Sequence, residues 1–298
     1  MGGRLQCTKV LGAYIGNRAA CAAKLVARVE KHLAPLPLAA MLRDTRKCNV
    51  ALQVQLEILR YCANTSLVYF LRTMGVAATR EAACTHDRLI LEAWHSTLGT
   101  ASAKAGELSR AERQIRLPVK LGGCGLTSQA RIADAACVGS WSLVWRPMQQ
   151  LCPQLFAGVD LDTAPQQVYV ELRAARRRLL EEHERTAAVY EKWDETPWDY
   201  GVDGRASRRF HPEGLARREE LLPLCKYGTE DEYLQQAQRR YSSVAHHADW
   251  LKLLAACQNF SKREGIRFIS VSQPYAGTFL NAVPKHKPFR AGCAVWMR

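Results

Sequence analysis

The sequence predicts a mainly α-helical protein with one amino-terminal β-strand, a helical bundle and a second, mostly helical region. Three observations support this class. Hydrophobic residues make up 48% of the 298-residue chain, a share typical of proteins that bury a core. Apolar residues recur at helical spacing in most segments. Between residues 7 and 15 they alternate with polar residues instead, which is the period of a strand.

The amino-terminal strand is predicted from Cys7 to Ile15 and ends at Gly16. The chain offers no obvious partner for this strand, although a strand needs one to satisfy its backbone groups. Asn17 follows it, and asparagine is a favoured helix N-cap. The pattern after Asn17 predicts a helix that runs to about Leu33.

Helical spacing predicts two more helices before residue 100. The first begins at Asp44 or Thr45, and its apolar face continues through Phe70. Gly75 breaks the pattern, since glycine is unfavourable inside a helix. Thr79 then begins a helix that runs to about residue 98.

A Pro/Gly loop, LPVKLGGCGL at residues 117–126, is the sharpest local feature of the sequence. Thr127 and Ser128 are candidate caps for the apolar helix that follows, to about Trp145. Backbone amides at Gly122–Gly125 could hold a phosphate at the amino end of that helix. The loop has no preceding strand and no Gly-Lys-Ser/Thr, so a tight turn that packs the helix is the favoured interpretation.

The carboxyl-terminal half is predicted to be helical. A long helix covers about residues 166–195; its arginines precede a group of acids and form a solvated face with internal ion pairs. Capping-box spacing at Ser109–Glu112 and Thr229–Glu232 predicts the starts of a short helix and of one reaching Cys257. Three regions follow: a strand at 1–16, a helical region with the Gly-rich loop at 17–150, and a helical region at 151–298.

No complete catalytic or metal-binding set of residues is found, so no catalytic residue, metal or cofactor is predicted. Asp160 and Asp162 alternate as metal ligands would, but a third carboxylate is missing and a turn is favoured. His246 and His247 are expected to be partly exposed. On a helix they point about 100° apart, so they do not easily share one metal.

Cysteine usage predicts reduced thiols. The chain has 11 cysteines, an odd number, and none shows the spacing of a zinc site. Several occupy helix-like apolar segments and are expected to be buried, among them Cys21, Cys62 and Cys137.

The charge indicates a polyanionic partner. The net charge is +14 with a pI near 9.4, and the basic residues are spread along the whole chain. Arg208 and Arg209 follow Trp198 and Tyr200, a mixture that can track a phosphate backbone and stack bases. An aromatic core edge beside solvated charge is the favoured alternative there.

No apolar run approaches the roughly 18 residues of a membrane span, and no secretory signal is recognised. We therefore expect an intracellular location, cytoplasmic or nuclear, without a membrane partner.

Several segments together resemble one family. They are KVLGAYIG at Lys9–Gly16, QVQLEILRYCANTSLVYFLRTM at Gln53–Met74, RLPVKLGGCGLTSQARIADAACVGSW at Arg116–Trp141 and SQPYAGTFLNAVP at Ser272–Pro284. As a set, they are similar to the region downstream of the catalytic palm in reverse transcriptases of non-LTR (LINE-like) retrotransposons. Thr65 stands where that family usually has a proline.

The resemblance implies a nucleic-acid-binding fragment of an RNA-directed DNA polymerase. The palm aspartates of the family are absent from this sequence, so the chain is expected to be truncated on both sides and inactive alone. The unpartnered strand resembles the last strand of a palm sheet, and a separate palm domain would be a partner. The helices would act as a thumb that grips an RNA or DNA primer–template.

The same resemblance suggests contact residues. Lys9 would lie near the primer strand, and we expect Arg116 and Lys120 to contact the nucleic-acid backbone beside the loop glycines Gly122, Gly123 and Gly125. Arg208 and Arg209 complete the predicted set. The alternative is a helical protein–protein adaptor whose basic charge reflects codon usage. The sequence leaves the choice between RNA and DNA and the oligomeric state open.

Overall fold

The computed structural model describes residues 7–33, 52–98, 110–156, 158–195 and 237–260, and it confirms the mainly α-helical class. The chain divides into two compact units. Unit 1 contains residues 1–25, 68–83 and 130–248, and unit 2 contains residues 26–67, 84–129 and 249–298. The units therefore alternate along the sequence, whereas the predicted regions, 1–16, 17–150 and 151–298, followed one another.

The amino-terminal segment is a β-hairpin, so the prediction of one strand without a partner was wrong. Strand β1 (Cys7–Val10) pairs antiparallel with strand β2 (Ala13–Gly16). Leu11 and Gly12 form the turn with φ of 48° and 92°. Positive φ at both central residues is the signature of the tight hairpin turn that matches strand twist. Because the two strands pair with each other, the hairpin gives no evidence that other strands of a sheet are missing.

Helix α1 (Arg18–Leu33) confirms the first helix prediction. The Asn17 side-chain oxygen accepts a hydrogen bond from the backbone N–H of Ala20 at 3.2 Å, as an N-cap does. Its buried positions recur every four residues, at Cys21, Leu25, Val29 and Leu33. This spacing places them on one face of the helix.

The predicted helix through Phe70 is interrupted. Helix α2 (Leu52–Ile58) runs into a π-helical turn (Leu59–Ala63), and helix α3 (Val68–Thr73) begins after a bend. The Thr65 hydroxyl donates to the carbonyl oxygen of Tyr61 at 2.7 Å, a side-chain bond that bends helices. Cys62 lies in the π turn and is exposed, contrary to the prediction that it is buried. The predicted caps at residues 44 and 45 lie outside the described residues.

Gly75 separates α3 from helix α4 (Val76–Leu98), as predicted. The start predicted at Thr79 was three residues late, because the Thr79 hydroxyl bonds inside the first turn, to the carbonyl oxygen of Val76 at 3.2 Å. A short helix α5 (Arg110–Ile115) follows; Ser109, the first residue of its predicted capping box, lies outside the described residues.

The remaining helices are long, with one exception. They are α6 (Gln129–Leu151), the single turn α7 (Pro153–Phe156), α8 (Gln167–Glu195) and α9 (Ala237–Phe260). The predicted start of α9 at Thr229–Glu232 falls outside the described residues. Within the part of the chain that the structure describes, no helix is both long and apolar enough to cross a membrane.

An aromatic cluster joins α6 and α8 inside unit 1. The Trp141 and Trp145 rings meet the Tyr169 ring edge-on, with centroids 5.7 and 6.2 Å apart. Trp145 also contacts Phe156 of α7 at 5.9 Å. Offset and edge-on arrangements are the favourable geometries for such pairs. These contacts fix the two longest helices of the unit against each other.

Candidate nucleic-acid interface

The hairpin carries the first predicted contact residue, Lys9. Lys9 lies within β1 opposite Tyr14, and it is exposed. The hairpin tip rests on α3, because the Tyr69 hydroxyl donates a hydrogen bond to the carbonyl oxygen of Leu11. The Tyr14 ring stacks on Phe70 with centroids 6.1 Å apart. An ordered element therefore presents Lys9 to the solvent.

The open end of the hairpin is held by α1. The Lys24 ammonium group donates to the carbonyl oxygen of Cys7 at 2.7 Å, and the Cys7 and Cys21 sulfur atoms are 3.3 Å apart. An ammonium group has three donors, so Lys24 keeps two for another acceptor. Lys9 and Lys24 thus belong to one braced element, the hairpin and the start of α1.

The hairpin and α1 have an excess of positive charge. Glu30 is the acidic residue between Cys7 and Leu33. The cationic residues in the same range are Lys9, Arg18, Lys24, Arg28 and Lys31. Arg18 forms an ion pair with Glu171 of α8, so its charge is partly balanced within unit 1. This local excess supplies the positive field that attracts phosphate groups.

The Gly-rich loop is a closed turn. Its glycine N–H groups donate to carbonyl oxygens earlier in the loop, at 2.8 to 3.1 Å: Gly122 to Val119, Gly123 to Pro118 and Gly125 to Leu117. Gly122 and Gly125 have positive φ, 79° and 76°, which the turn requires and glycine supplies at low cost. A phosphate would have to replace these bonds. The geometry thus agrees with the favoured interpretation, in which the loop is a tight turn.

Close contacts explain why residues 123 and 125 are glycines. A Cβ atom at Gly123 would overlap the carbonyl oxygen of Leu117, and one at Gly125 would lie 2.6 Å from Nε of Arg60. Arg60 also stacks over the ring of Tyr61, with its guanidinium carbon 4.7 Å from the centroid. Arg60 is a cation beside the loop that sequence reasoning missed, because more than fifty residues separate the two.

Asp87 of α4 occupies the amino end of α6. One of its carboxylate oxygens accepts the backbone N–H of Gln129 at 2.7 Å, and the other accepts the hydroxyl of Ser128. Arg116 lies 3.6 Å from the same carboxylate. An anion at a helix amino terminus complements the exposed N–H groups and the helix dipole. The protein's own carboxylate thus already fills the position where the sequence suggested a phosphate.

The predicted contact residues meet different environments. Lys9 is exposed, whereas the Arg116 side chain is 19% exposed and faces Asp87. Lys120 belongs to a short 3₁₀ turn, Val119–Leu121, next to the loop glycines. Arg208 and Arg209 lie outside the described residues. Arg116, Lys120 and the loop glycines are therefore neighbours in unit 2, and Lys9 belongs to unit 1.

Arg173, Arg176 and Arg178 of α8 are engaged by other segments of unit 1, where a solvated face with internal pairs had been expected. Arg178 makes two hydrogen bonds to Asp134 of α6, at 2.8 and 2.6 Å, and this contact raises the pKa of the guanidinium. Glu182 likewise binds Arg131 at 2.7 Å. These pairs fasten α8 to α6 and balance local charge, so this surface is a weaker candidate for binding phosphates.

The other candidate clusters have structural roles. Asp160 accepts hydrogen bonds from the Asp162 N–H and the Thr163 hydroxyl, at 3.0 and 2.9 Å, and these bonds lower its pKa. The predicted turn is thereby confirmed.

His247 is fully buried, contrary to the expected partial exposure, and its Nδ1 is 2.9 Å from the Tyr190 hydroxyl. In the ranges that the structure covers, no three side chains gather as metal ligands.

Comparisons with known proteins return nothing: no protein family, curated protein or solved structure matches the chain.

Proposed function

We propose that the chain binds RNA or DNA through the phosphate backbone, as the thumb-like part of a reverse-transcriptase-like protein without polymerase activity of its own. The braced cationic element made by the hairpin and α1 carries the proposal. Lys9 is exposed on β1, and Lys24 is fixed at the base of the same hairpin by its bond to Cys7. Cations on an ordered scaffold contact phosphates with little loss of chain entropy.

The resemblance to retrotransposon reverse transcriptases supports the proposal with KVLGAYIG at Lys9–Gly16 and the loop box at Arg116–Trp141. The first box forms the hairpin and the second forms the loop and α6. Lys9 is then the primer-side contact. Arg116 and Lys120 are expected contacts near the loop, and Arg60 is added to them because it borders Gly125.

A salt titration tests the proposal. Binding of a labelled single-stranded RNA and a DNA duplex is measured by fluorescence anisotropy at several KCl concentrations. The affinity is expected to fall steeply with salt, because neutralised phosphates release counterions. Lys9→Gln is expected to weaken binding and to reduce the slope of log K against log salt by about 0.9 for the duplex.

Arg88→Gln is the matched control, because it removes the same charge from a residue that is paired with Glu92 on the surface of α4. Its slope should equal that of the unmodified chain. Equal slopes for the Lys9 and Arg88 variants would mean that the hairpin is not the contact. Little binding at any salt concentration would reject nucleic-acid binding altogether.

A protein–protein adaptor is the second candidate, and exposed aliphatic side chains favour it. Leu151 and Leu155, near the carboxyl end of α6 and in α7, are 79% and 66% exposed. Exposed apolar clusters often mark protein interaction sites. An adaptor would lose partner binding on Leu151→Asp substitution and would show little salt-dependent nucleic-acid binding.

A further inference from the structure

Two cysteine thiols meet where the hairpin joins α1. Cys7 is the first residue of β1, and Cys21 lies in the first turns of α1, with 3.3 Å between the sulfur atoms. Cys7 is partly exposed, whereas Cys21 is 3% exposed. The sulfur atoms would need to approach by roughly 1.3 Å to reach a disulfide bond length of about 2.05 Å.

We propose that Cys7 and Cys21 form an oxidation site that a peroxide converts to an intrachain disulfide. The pair differs from an ordinary surface cysteine because one thiol is accessible and its partner is fixed behind it. This arrangement suits a two-step oxidation, in which the accessible sulfur reacts first and the buried sulfur resolves the product.

The chemistry balances with hydrogen peroxide as oxidant. The Cys7 thiol first releases its proton to water, and its sulfur then attacks one peroxide oxygen. The O–O bond breaks, and the released hydroxide takes up the proton that the thiol lost and becomes water. Cys7 is then a sulfenic acid. The Cys21 sulfur attacks the Cys7 sulfur, the S–O bond breaks, and the hydroxide leaves with the Cys21 proton as a second water. Two thiols are oxidised by two electrons, and one peroxide is reduced.

The environment of Cys21 agrees with the resolving role. Burial and the adjacent Cys7 raise the pKa of the Cys21 thiol to about 11, so it stays protonated and unreactive toward solution oxidants at neutral pH. The Lys24 ammonium acts in the opposite direction on the same thiol. The contact with Cys7 offsets this low reactivity, because the sulfur that Cys21 attacks already lies 3.3 Å away.

The disulfide would fasten the open end of the hairpin to α1 covalently. At present this end is held by the hydrogen bond from Lys24 to the Cys7 carbonyl oxygen. Lys9 lies two residues further along β1, so the cross-link would also fix the candidate contact residue. This last consequence rests on the proposed function, whereas the oxidation site does not.

Peptide mapping of the full chain tests the site without nucleic acid. The reduced protein is treated with limiting hydrogen peroxide at neutral pH, free thiols are alkylated, and tryptic peptides are analysed by mass spectrometry. Cleavage at Lys9 and Lys24 releases Cys7 and Cys21 on separate short peptides. We expect the two peptides to appear joined, two hydrogen atoms lighter than their sum, as the first disulfide formed.

Two variants and a denatured sample complete the test. Cys62→Ser, at an exposed cysteine, should leave the joined peptides unchanged. Cys21→Ser should abolish them and leave Cys7 as a sulfenic acid that dimedone traps. In concentrated urea the preference for this pair should vanish. Native protein that yields no joined peptides, or the same yield as in urea, would overturn the proposal.

Discussion

Asp87 is expected to be a sensitive carboxylate of unit 2, because it joins α4 to Arg116, just before the Gly-rich loop, and to the start of α6. It is 6% exposed, accepts the Gln129 N–H and the Ser128 hydroxyl, and lies beside Arg116. Asp87→Ala removes two hydrogen bonds to a charged acceptor, each worth about 1.5–3 kcal/mol. It also leaves the mostly buried Arg116 without this counter-charge. We expect a loss of about 3–5 kcal/mol.

Asp87→Asn keeps the size and shape of the side chain but removes its charge, so it shows how much of the stability loss comes from the charge. Its amide oxygen can still accept the Gln129 N–H, so the expected loss is smaller, about 1–2 kcal/mol. Replacing Arg116 with Met first should reduce the cost of Asp87→Asn, because the charge that Asp87 balances is already gone. A coupling of about 1 kcal/mol is expected for two groups in contact.

Urea unfolding followed by tryptophan fluorescence and circular dichroism measures these losses. Glu92→Ala on the same helix is the control, because Glu92 forms an exposed pair with Arg88. Such a pair contributes about 0.3–0.5 kcal/mol. If Asp87→Ala cost no more than Glu92→Ala, Asp87 would not be the cap of α6. Coupling to Arg116 below about 0.5 kcal/mol would show that the ion pair contributes little.

Three further predictions concern packing and protonation, each measured by urea unfolding. Gly123→Ala should lower the free energy of unfolding by about 1–3 kcal/mol, because the new Cβ atom clashes with a backbone carbonyl. Gly158→Ala, at a positive φ but in open space, should lower it by about 1 kcal/mol. Equal losses for the two variants would contradict the clash. Burial raises the pKa of Cys137 from 9.0 to about 12, so stability should fall as pH rises above 9. Between pH 8 and 10 this thiol should account for about 1.4 kcal/mol of the fall, which Cys137→Ala should lack. Tyr190→Phe removes the buried hydrogen bond to His247 and should lower the free energy of unfolding by about 1–3 kcal/mol. A loss below about 0.5 kcal/mol would mean that this bond contributes little to stability.

Local signals account for the parts of the fold that the sequence predicted well. Asn17 caps the helix that directly follows it, and Gly75 separates two helices at its own position. The hairpin was missed because its turn has an apolar residue, Leu11, where the Asn-Gly or Asp-Gly signal of a tight hairpin turn would have an Asn or Asp. The positive φ of Leu11 is unusual for such a side chain, and no short-range rule would have indicated it.

Contacts between distant segments account for most of what was missed in the candidate interface. The cap of α6 comes from Asp87, which lies 41 residues before Ser128. Spacing rules assign caps to neighbours, so Thr127 and Ser128 were the natural candidates. Arg60 borders Gly125 from a still more distant segment. Only packing in three dimensions brings such residues together.

A basic side chain that is already paired with a carboxylate is less able to bind a polyanion than an unpaired one, so net charge alone does not show where a polyanion would bind. The net charge of +14 is a sum over the sequence, but Arg116, Arg131 and Arg178 face carboxylates. Their attraction to a phosphate would have to exceed that of a partner already in place. Lys9 and Lys24 stand on an element whose acidic residue is Glu30 alone. For the proposed nucleic-acid binding, Lys9 and Lys24 are therefore stronger candidates for phosphate contacts than Arg116, Arg131 and Arg178.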